Sequence, residues 1–238
     1  MSILLKTPFK MDSLETDPFV FGLRPIVIKK AVTELYNDKS ILVTGPRGIG
    51  KSSLRYQLQN ILQGDNTILE RCALNVKMGK YITVEYICSS DDTLKYVVES
   101  IIDKFEQQLP EFKFKYELHD MSFDFSIFKV FKTKLNLVKT DENNEVSLSD
   151  AFVEVIEKMS EMYVEPHINI AIDELDQLND KYNIAHFIKI VLEKLNSHGT
   201  DSLSFILVGQ DDLYKRLYTQ QQAFSRLVKH IKFRTFKR

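Results

Sequence analysis

The chain has 238 residues and an ordinary composition, with 44% hydrophobic, 27% charged and 11% aromatic residues. This composition excludes the collagen-like, disordered and disulfide-stapled classes. With Lys+Arg 32 against Asp+Glu 33, the net charge of −1 supplies no overall field that would draw the chain to nucleic acid or to a membrane surface.

Strand-like and helix-like apolar patterns alternate along the chain, which indicates an α/β layered architecture. After an N-terminal leader over residues 1–18, helical spacing predicts helices over 26–37, 52–62, about 92–102, 148–163, 183–196 and 211–228. Apolar or alternating runs predict strands over 40–44, 81–88, 167–172, 203–208 and 229–236.

Residues 111–145 interrupt this alternation. Aromatic and lysine residues alternate over 112–116, and shorter alternating runs follow at 123–125 and 132–137, before a polar loop at 141–144. The pattern predicts a β-hairpin-type insertion near 111–145 with one apolar face, or alternatively a mobile flap.

Three of the eight glycines fall within the single window 45–50. The surrounding segment, Gly45-Pro46-Arg47-Gly48-Ile49-Gly50-Lys51-Ser52, fits the phosphate-loop pattern G-x-x-x-x-G-K-[ST] between a predicted strand and a predicted helix. Backbone N–H groups and the helix N-terminus would cradle a polyphosphate, Lys51 would neutralise the β- and γ-phosphates, and the Ser52 hydroxyl would bind Mg²⁺. We therefore predict that residues 45–53, including Ser53, bind ATP.

An acidic pair follows the strand predicted at 167–172. Ligands bind at the carboxyl ends of strands in open α/β sheets, so Asp173 is predicted to hold Mg²⁺ together with Ser52. Glu174 is the candidate that polarises the water attacking the γ-phosphate. The letters DELD at 173–176 also match the DExD box of helicases, but the chain is too short for the two nucleotide-sandwiching domains of those enzymes.

The segment from Phe19 to Arg24, the helix after it and the run 39–54 together resemble the start of an AAA+ module of the origin-recognition-like or STAND branches. The resemblance covers about 19–236 and implies a P-loop NTPase three-layer sandwich with a mainly parallel sheet. It also implies that Phe21, Gly22 and Arg24 lie near the adenine, although Leu23 and Pro25 depart from the family's opening motif.

The same resemblance assigns two further polar residues. Gln210, at the end of a predicted strand, occupies the place of a sensor between the attacking water and the γ-phosphate; the alternative is an ordinary loop glutamine. Arg226 occupies the place of an arginine finger that reaches the γ-phosphate of a neighbouring subunit, and the alternative is a helix-surface arginine. For Arg47 three roles stay open: contact with phosphate, contact with a neighbouring subunit, or exposure to solvent.

The resemblance also implies a domain plan: a leader over 1–18 and an ATPase core over 19–238, with the helical lid that usually follows such cores absent. Cys72 and Cys88 lack metal or redox spacing, and no apolar run is long enough for a signal peptide or a bilayer span. We therefore expect a cytoplasmic protein with no membrane partner. Because the expected plan leaves no room for the lid, we also expect an ATPase core that is cut from, or acts within, something larger.

The function implied is ATP binding and hydrolysis with Mg²⁺ by a module that works as a nucleotide-dependent oligomerisation or signalling switch. Its partners would be ATP or ADP and either further copies of itself or other protein subunits. Two alternatives remain open: a DNA-associated initiator or transposition-type ATPase, which the net charge does not support, and an ATP-binding regulator with negligible hydrolysis.

Overall fold

The structure is a computed structural model, and it describes residues 14–18, 24–79, 81–115, 128, 132–133, 145–162, 167–179, 183–200 and 202–234. No helix among these residues is both long enough and apolar enough to cross a bilayer.

The described part of the chain forms a sheet of five strands in the order β2-β3-β4-β1-β5. The strands are β1 (Ser40–Thr44), β2 (Tyr81–Ile87), β3 (His167–Asp173), β4 (Leu203–Gly209) and β5 (Val228–Lys232). Each described pairing between neighbouring strands is parallel. Every residue of β1 and of β4 is buried, as expected for parallel strands covered on both faces.

Helices cover both faces of this sheet. They are α1 (Pro25–Tyr36), α2 (Lys51–Leu62), α3 (Thr67–Arg71), α4 (Leu94–Lys115), α5 (Glu145–Met162), α6 (Ile184–Ser197), α7 (Leu213–Gln220) and α8 (Phe224–Leu227). Alternate side chains of β1 enter different cores: Ile41 and Val43 pack with α1, α2 and α3, whereas Leu42 packs with the helices of the opposite face. The predicted three-layer sandwich with a mainly parallel sheet is confirmed.

The region of the predicted insertion differs from the prediction where it is described. Residues 111–115 continue α4, and Lys132 and Thr133 are also helical, so the strand assignments at those positions are wrong. Phe128 is likewise helical and is fully buried in the core that contains α4 and α5. An alternating run of a few residues needs a partner strand, whereas an established helix gains one hydrogen bond for each residue added. Residues 116–127, 129–131 and 134–144 lie outside the described residues.

The helix predicted over 211–228 is two helices, α7 and α8. Gln221 between them is extended, with φ −149° and ψ 106°. Phe224, at the start of α8, is buried in the core, so this break turns the chain back toward the sheet before β5.

Part of the leader packs on α2. The backbone N–H of Glu15 donates to the hydroxyl of Ser53 (3.0 Å), and the Gln57 side-chain amide donates to the carbonyl of Thr16 (3.1 Å). The segment 14–18 therefore lies beside the helix that follows the glycine-rich loop.

Candidate functional site

The glycine-rich loop connects β1 to α2, and two of its glycines adopt left-handed backbone angles. Gly48 has φ +74° and Gly50, the N-cap of α2, has φ +95°. Gly45 is required for a different reason: a Cβ at this position would lie 2.4 Å from the carbonyl oxygen of Phe233, the residue that follows β5. Pro46, Arg47 and Gly48 are exposed, and Ile49 is partly so. The tight turn predicted from the glycine pattern is present.

Lys51 is the first residue of α2 and is partly buried. Its Nζ donates to the carbonyl oxygens of Gly45 (2.9 Å) and Pro46 (2.8 Å). Burial lowers the pKa of Lys51, and the nearby carboxylates act in the opposite direction, in decreasing order Asp176, Asp173, Asp211 and Glu174. The ammonium group therefore lies over the loop and close to the acidic residues that follow β3 and β4.

The two serines after Lys51 occupy different environments. Leu54 N donates to Gly50 O (2.9 Å), so the N–H groups of 51–53 precede this intrahelical bond and lie at the positive end of α2. Ser52 is partly exposed, whereas Ser53 is buried with its hydroxyl bonded to the leader. A phosphate contact from Ser53 would therefore come from its backbone N–H.

Asp173 ends β3 and is only 3% exposed. One carboxylate oxygen accepts from the N–H of Glu174 (2.8 Å), and the other accepts from Nε of Arg55 (3.1 Å). Arg55 lies on α2, is 2% exposed and also donates to Gln59 (2.5 Å) and to Glu85 of β2. A buried charge needs partners, so this network holds the Asp173 carboxylate in place at the sheet edge.

The sequence prediction did not include Arg55. The available signal was a charged residue that directly follows Leu54 on a predicted amphipathic helix. Its partners, Glu85 and Asp173, lie 30 and 118 residues further along the chain, and the sequence pattern does not indicate those contacts.

Glu174 is exposed, and its backbone is left-handed with φ +51°. Its N–H donates to Asp173 and its carbonyl accepts from Gln177 N (2.8 Å) in a short 3₁₀ helix (Leu175–Gln177). A left-handed conformation costs a non-glycine residue about 1–2 kcal/mol, and such backbone strain is frequent at active sites. The turn directs the Glu174 side chain to the exposed edge of the sheet while Asp173 stays buried.

Gln210 follows β4, which lies between β1 and β3, so it stands between the glycine-rich loop and the acidic pair. The Asp176 carboxylate accepts from the backbone N–H of Gln210 (3.0 Å) and from its side-chain amide (2.8 Å). Arg216 of α7 donates to the carbonyls of Leu175 (3.0 Å) and Asp176 (3.0 Å). The sequence prediction gave no role to Asp176 or Arg216.

Arg226 lies near the N-terminal ends of the strands, at the end of the sheet opposite the glycine-rich loop. It is an exposed residue of α8, directly before β5, and it lines a cavity of about 190 Å³ with Ser40 and Leu203, the first residues of β1 and β4. The glycine-rich loop follows the other end of β1. The structure therefore does not bring Arg226 to the phosphate loop of its own chain.

Of the three residues expected near the adenine, Phe21 and Gly22 lie outside the described residues. The Arg24 guanidinium stacks over the Phe233 ring at 4.0 Å from its centroid, and it donates to the carbonyl of Arg234. Because the backbone of Phe233 abuts Gly45, Arg24 is placed on the β5 side of the loop.

A parallel sheet in the order β2-β3-β4-β1-β5, with a glycine-rich loop after β1 and an acidic pair at the end of β3, defines a protein of the P-loop NTPase class. A family model described as an AAA domain matches residues 34–217. The chain therefore belongs to the AAA domain family.

Two solved structures are similar to the chain. A Walker-type ATPase of Pyrococcus abyssi matches with 16% identity and a TM-score of 0.49, covering 95% of this chain and 57% of that chain. The ORC2 protein of Aeropyrum pernix, solved as ADPNP-ADP complexes, matches with 11% identity and a TM-score of 0.46, covering 89% of this chain and 47% of that chain. This chain thus spans about half the length of these two proteins. No curated protein matches.

Proposed function

We propose that the chain binds ATP with Mg²⁺ and hydrolyses it. One observation carries this proposal: Lys51, at the positive end of α2, lies over the glycine-rich loop and within electrostatic reach of Asp173 and Glu174. Phosphoryl transfer to water requires a cation and N–H groups that face the polyphosphate. It also requires carboxylates that bind a metal ion and activate a water molecule.

The residues present fit a magnesium ion. Mg²⁺ is usually bound by one or two protein oxygen ligands together with water and phosphate oxygens. Ser52 supplies a hydroxyl at the start of α2, and Asp173 supplies a buried carboxylate whose two oxygens each accept one described hydrogen bond. Each of these oxygens has a further lone pair for a metal-bound water. When bound, the ion would neutralise charge on the phosphates.

Glu174 is the general base in this proposal. Water attacks the γ-phosphorus as the bond to the bridging oxygen breaks, and the proton of the water passes to the Glu174 carboxylate. Lys51 and the loop N–H groups stabilise the charge on the phosphoryl oxygens. The exposed position of Glu174 beside buried Asp173 supports this division of roles.

The experiment compares Lys51→Ala and Glu174→Gln by titration with a fluorescent ATP analogue and by phosphate release. Lys51→Ala is expected to abolish binding, whereas Glu174→Gln is expected to bind ATP and to lose turnover by a factor of about 100 or more. Lys77→Ala is the matched control, because Lys77 is an exposed lysine outside the site. Retained ATP affinity in Lys51→Ala would contradict the phosphate-loop assignment, and unchanged turnover in Glu174→Gln would remove the base.

We further infer that nucleotide controls assembly with other copies of the chain or with other subunits. The position of Arg226 supports this inference, because its guanidinium lies at the end of the sheet where the strands begin. It can meet a γ-phosphate if this end of one subunit contacts the phosphate-loop end of another. The mass of Glu174→Gln in solution, measured by light scattering with ATP and with ADP, tests it. Equal masses with both nucleotides would count against a switch.

A further inference from the structure

We propose that Asp176 is a positioning residue that holds the Gln210 side chain so that its amide oxygen, rather than its amide nitrogen, faces the reacting groups. This inference rests on the proposed ATP hydrolysis and adds a residue and a direction to it. In this arrangement Gln210 accepts a hydrogen bond from the attacking water and does not donate one to the γ-phosphate.

The first support is the chemistry of the contact. A carboxylate only accepts hydrogen bonds, so the end of the Gln210 side chain that faces Asp176 must be the NH₂ group. The distances are 2.8 Å from Nε2 to Oδ2 and 3.0 Å from the backbone nitrogen of Gln210 to Oδ1. One carboxylate therefore fixes both the backbone and the side chain of Gln210, and Oε1 is left at the other end of the amide.

The second support is the space around the contact. A Cβ at residue 209 would lie 2.9 Å from Oδ1 of Asp176 and 2.2 Å from Cδ2 of Leu213. Gly209, the last residue of β4, thus permits the Asp176 carboxylate to reach the backbone of Gln210. A larger residue here would displace the Asp176 carboxylate and the Leu213 side chain.

The third support is that Asp176 is itself held. Arg216 of α7 donates to the carbonyl oxygens of Leu175, Asp176 and Leu178 at 3.0, 3.0 and 3.3 Å. The turn that carries Glu174 and Asp176 is therefore bonded to the chain after β4 twice, through Arg216 and through Gln210. Burial lowers the pKa of Lys51, and Asp176 opposes this shift more strongly than the other nearby carboxylates do. The contact between Asp176 and Gln210 therefore lies beside the proposed reaction centre.

The kinetic experiment is a double-mutant cycle of Asp176→Asn and Gln210→Ala, with kcat and the Kd for ATP measured for each variant. Asp176→Asn is expected to lower kcat by about tenfold or more, the equivalent of one hydrogen bond to a charged group, with the Kd changed by less than about twofold. In the Gln210→Ala background, Asp176→Asn should lower kcat no further. Asp212→Asn, a neighbouring exposed carboxylate, is the control and should retain kcat.

Unchanged kcat in Asp176→Asn, or losses that multiply in the double variant, would overturn the proposal. An equal loss of kcat and of ATP affinity would also overturn it, because that result indicates a structural role alone.

A second measurement separates this proposal from the proposed function. The side-chain amide resonance of Gln210 is identified in a ¹⁵N-labelled protein by its absence in Gln210→Ala. In the wild-type protein, the chemical shift of this resonance is expected to differ from that of free glutamine. In Asp176→Asn it is expected to move toward the free-glutamine value. If the wild-type protein shows no Lys51-dependent turnover, the proposed function fails, while this resonance still tests whether Asp176 positions the Gln210 amide. The same amide resonance in both proteins overturns that role.

Discussion

At Gly45 the glycine-rich loop touches the chain that follows β5. A methyl group here would meet the Phe233 carbonyl at 2.4 Å, and that backbone is itself fixed, because Phe233 N donates to the carbonyl of Thr44 (2.6 Å). We therefore expect Gly45→Ala to lower the free energy of unfolding by about 1–3 kcal/mol, the usual cost of overpacking. Urea denaturation measures this loss.

The matched control is Gly79→Ala. Gly79 is exposed, and the nearest atom to an added Cβ, in the His167 ring, would be at an ordinary contact distance of 3.9 Å. A stability change of similar size in both variants would show that the Phe233 contact is not the cause.

Arg55 provides the second prediction at the scale of single residues. Arg55→Met would leave the Asp173 carboxylate, 3% exposed, without its guanidinium partner. Removing one member of a buried ion pair costs about 3–5 kcal/mol, because the remaining charge is uncompensated. The double variant Arg55→Met with Asp173→Asn should recover part of this loss in urea denaturation.

Lys189→Met is the comparison variant for Arg55→Met, because Lys189 pairs with Glu193 at the helix surface (3.3 Å). Such exposed pairs contribute little to stability. A loss for Arg55→Met as small as that for Lys189→Met would contradict the network described for Asp173.

The residues of the site divide by how their partners are spaced along the chain. Gly50, Lys51 and Ser52 are predictable, because loop, helix start and cation are contiguous and the motif itself states their geometry. Asp176 and Arg216 are not, because each makes contacts 34 to 41 residues away, between chain segments that meet only once the sheet has formed. Sequence patterns therefore identify the groups that would touch phosphate better than the groups that hold them.

At the scale of elements, α7 and β5 meet through His230. The His230 ring stacks on Tyr214 at 4.2 Å between centroids, and its Nε2 lies 2.7 Å from the hydroxyl of Thr44, the last residue of β1. Burial lowers the pKa of His230. The charges of Lys232 and Lys30 lower it further, and Asp211 opposes them. The folded protein thus favours the neutral imidazole.

The sign of the resulting pH dependence follows. The folded-state pKa of His230 lies below the unfolded value of 6.5, so its contribution to stability is full above that pH and is lost as the pH falls through the folded-state pKa. We expect the free energy of unfolding to fall less for His230→Gln than for the unchanged protein when the pH is lowered from about 7.5 to about 5. Equal falls for the two proteins would contradict the prediction.

Elements were predictable where the apolar pattern had one interpretation. The runs that became β1, β3 and β4 are continuous and apolar, which buried parallel strands require. The errors lie at α4 and at the α7–α8 break. At 112–115 a short alternating run agrees with either strand or helix, and at Gln221 no proline or glycine marks the break. In both places the local pattern was insufficient to fix the conformation.

At the scale of the whole molecule, the proposed functional groups lie at two opposite ends of the strands of one sheet. Lys51, Glu174 and Gln210 follow the carboxyl ends of strands, while Arg226 precedes β5. Because parallel strands bring like ends together, this separation is fixed by the topology and not by a flexible loop. An arginine finger at Arg226 therefore requires a second subunit.

This requirement predicts complementation between two impaired variants. Arg226→Ala keeps an intact phosphate loop and Glu174→Gln keeps an intact Arg226, so a mixed interface can join one functional site to one functional guanidinium. Each variant alone should lose about a hundredfold or more in kcat, and their mixture should hydrolyse ATP faster than the sum of the two. Lys229→Ala, an exposed cation beside Arg226, should keep full activity alone. A mixture no faster than that sum, or full activity of Arg226→Ala alone, would place the finger elsewhere.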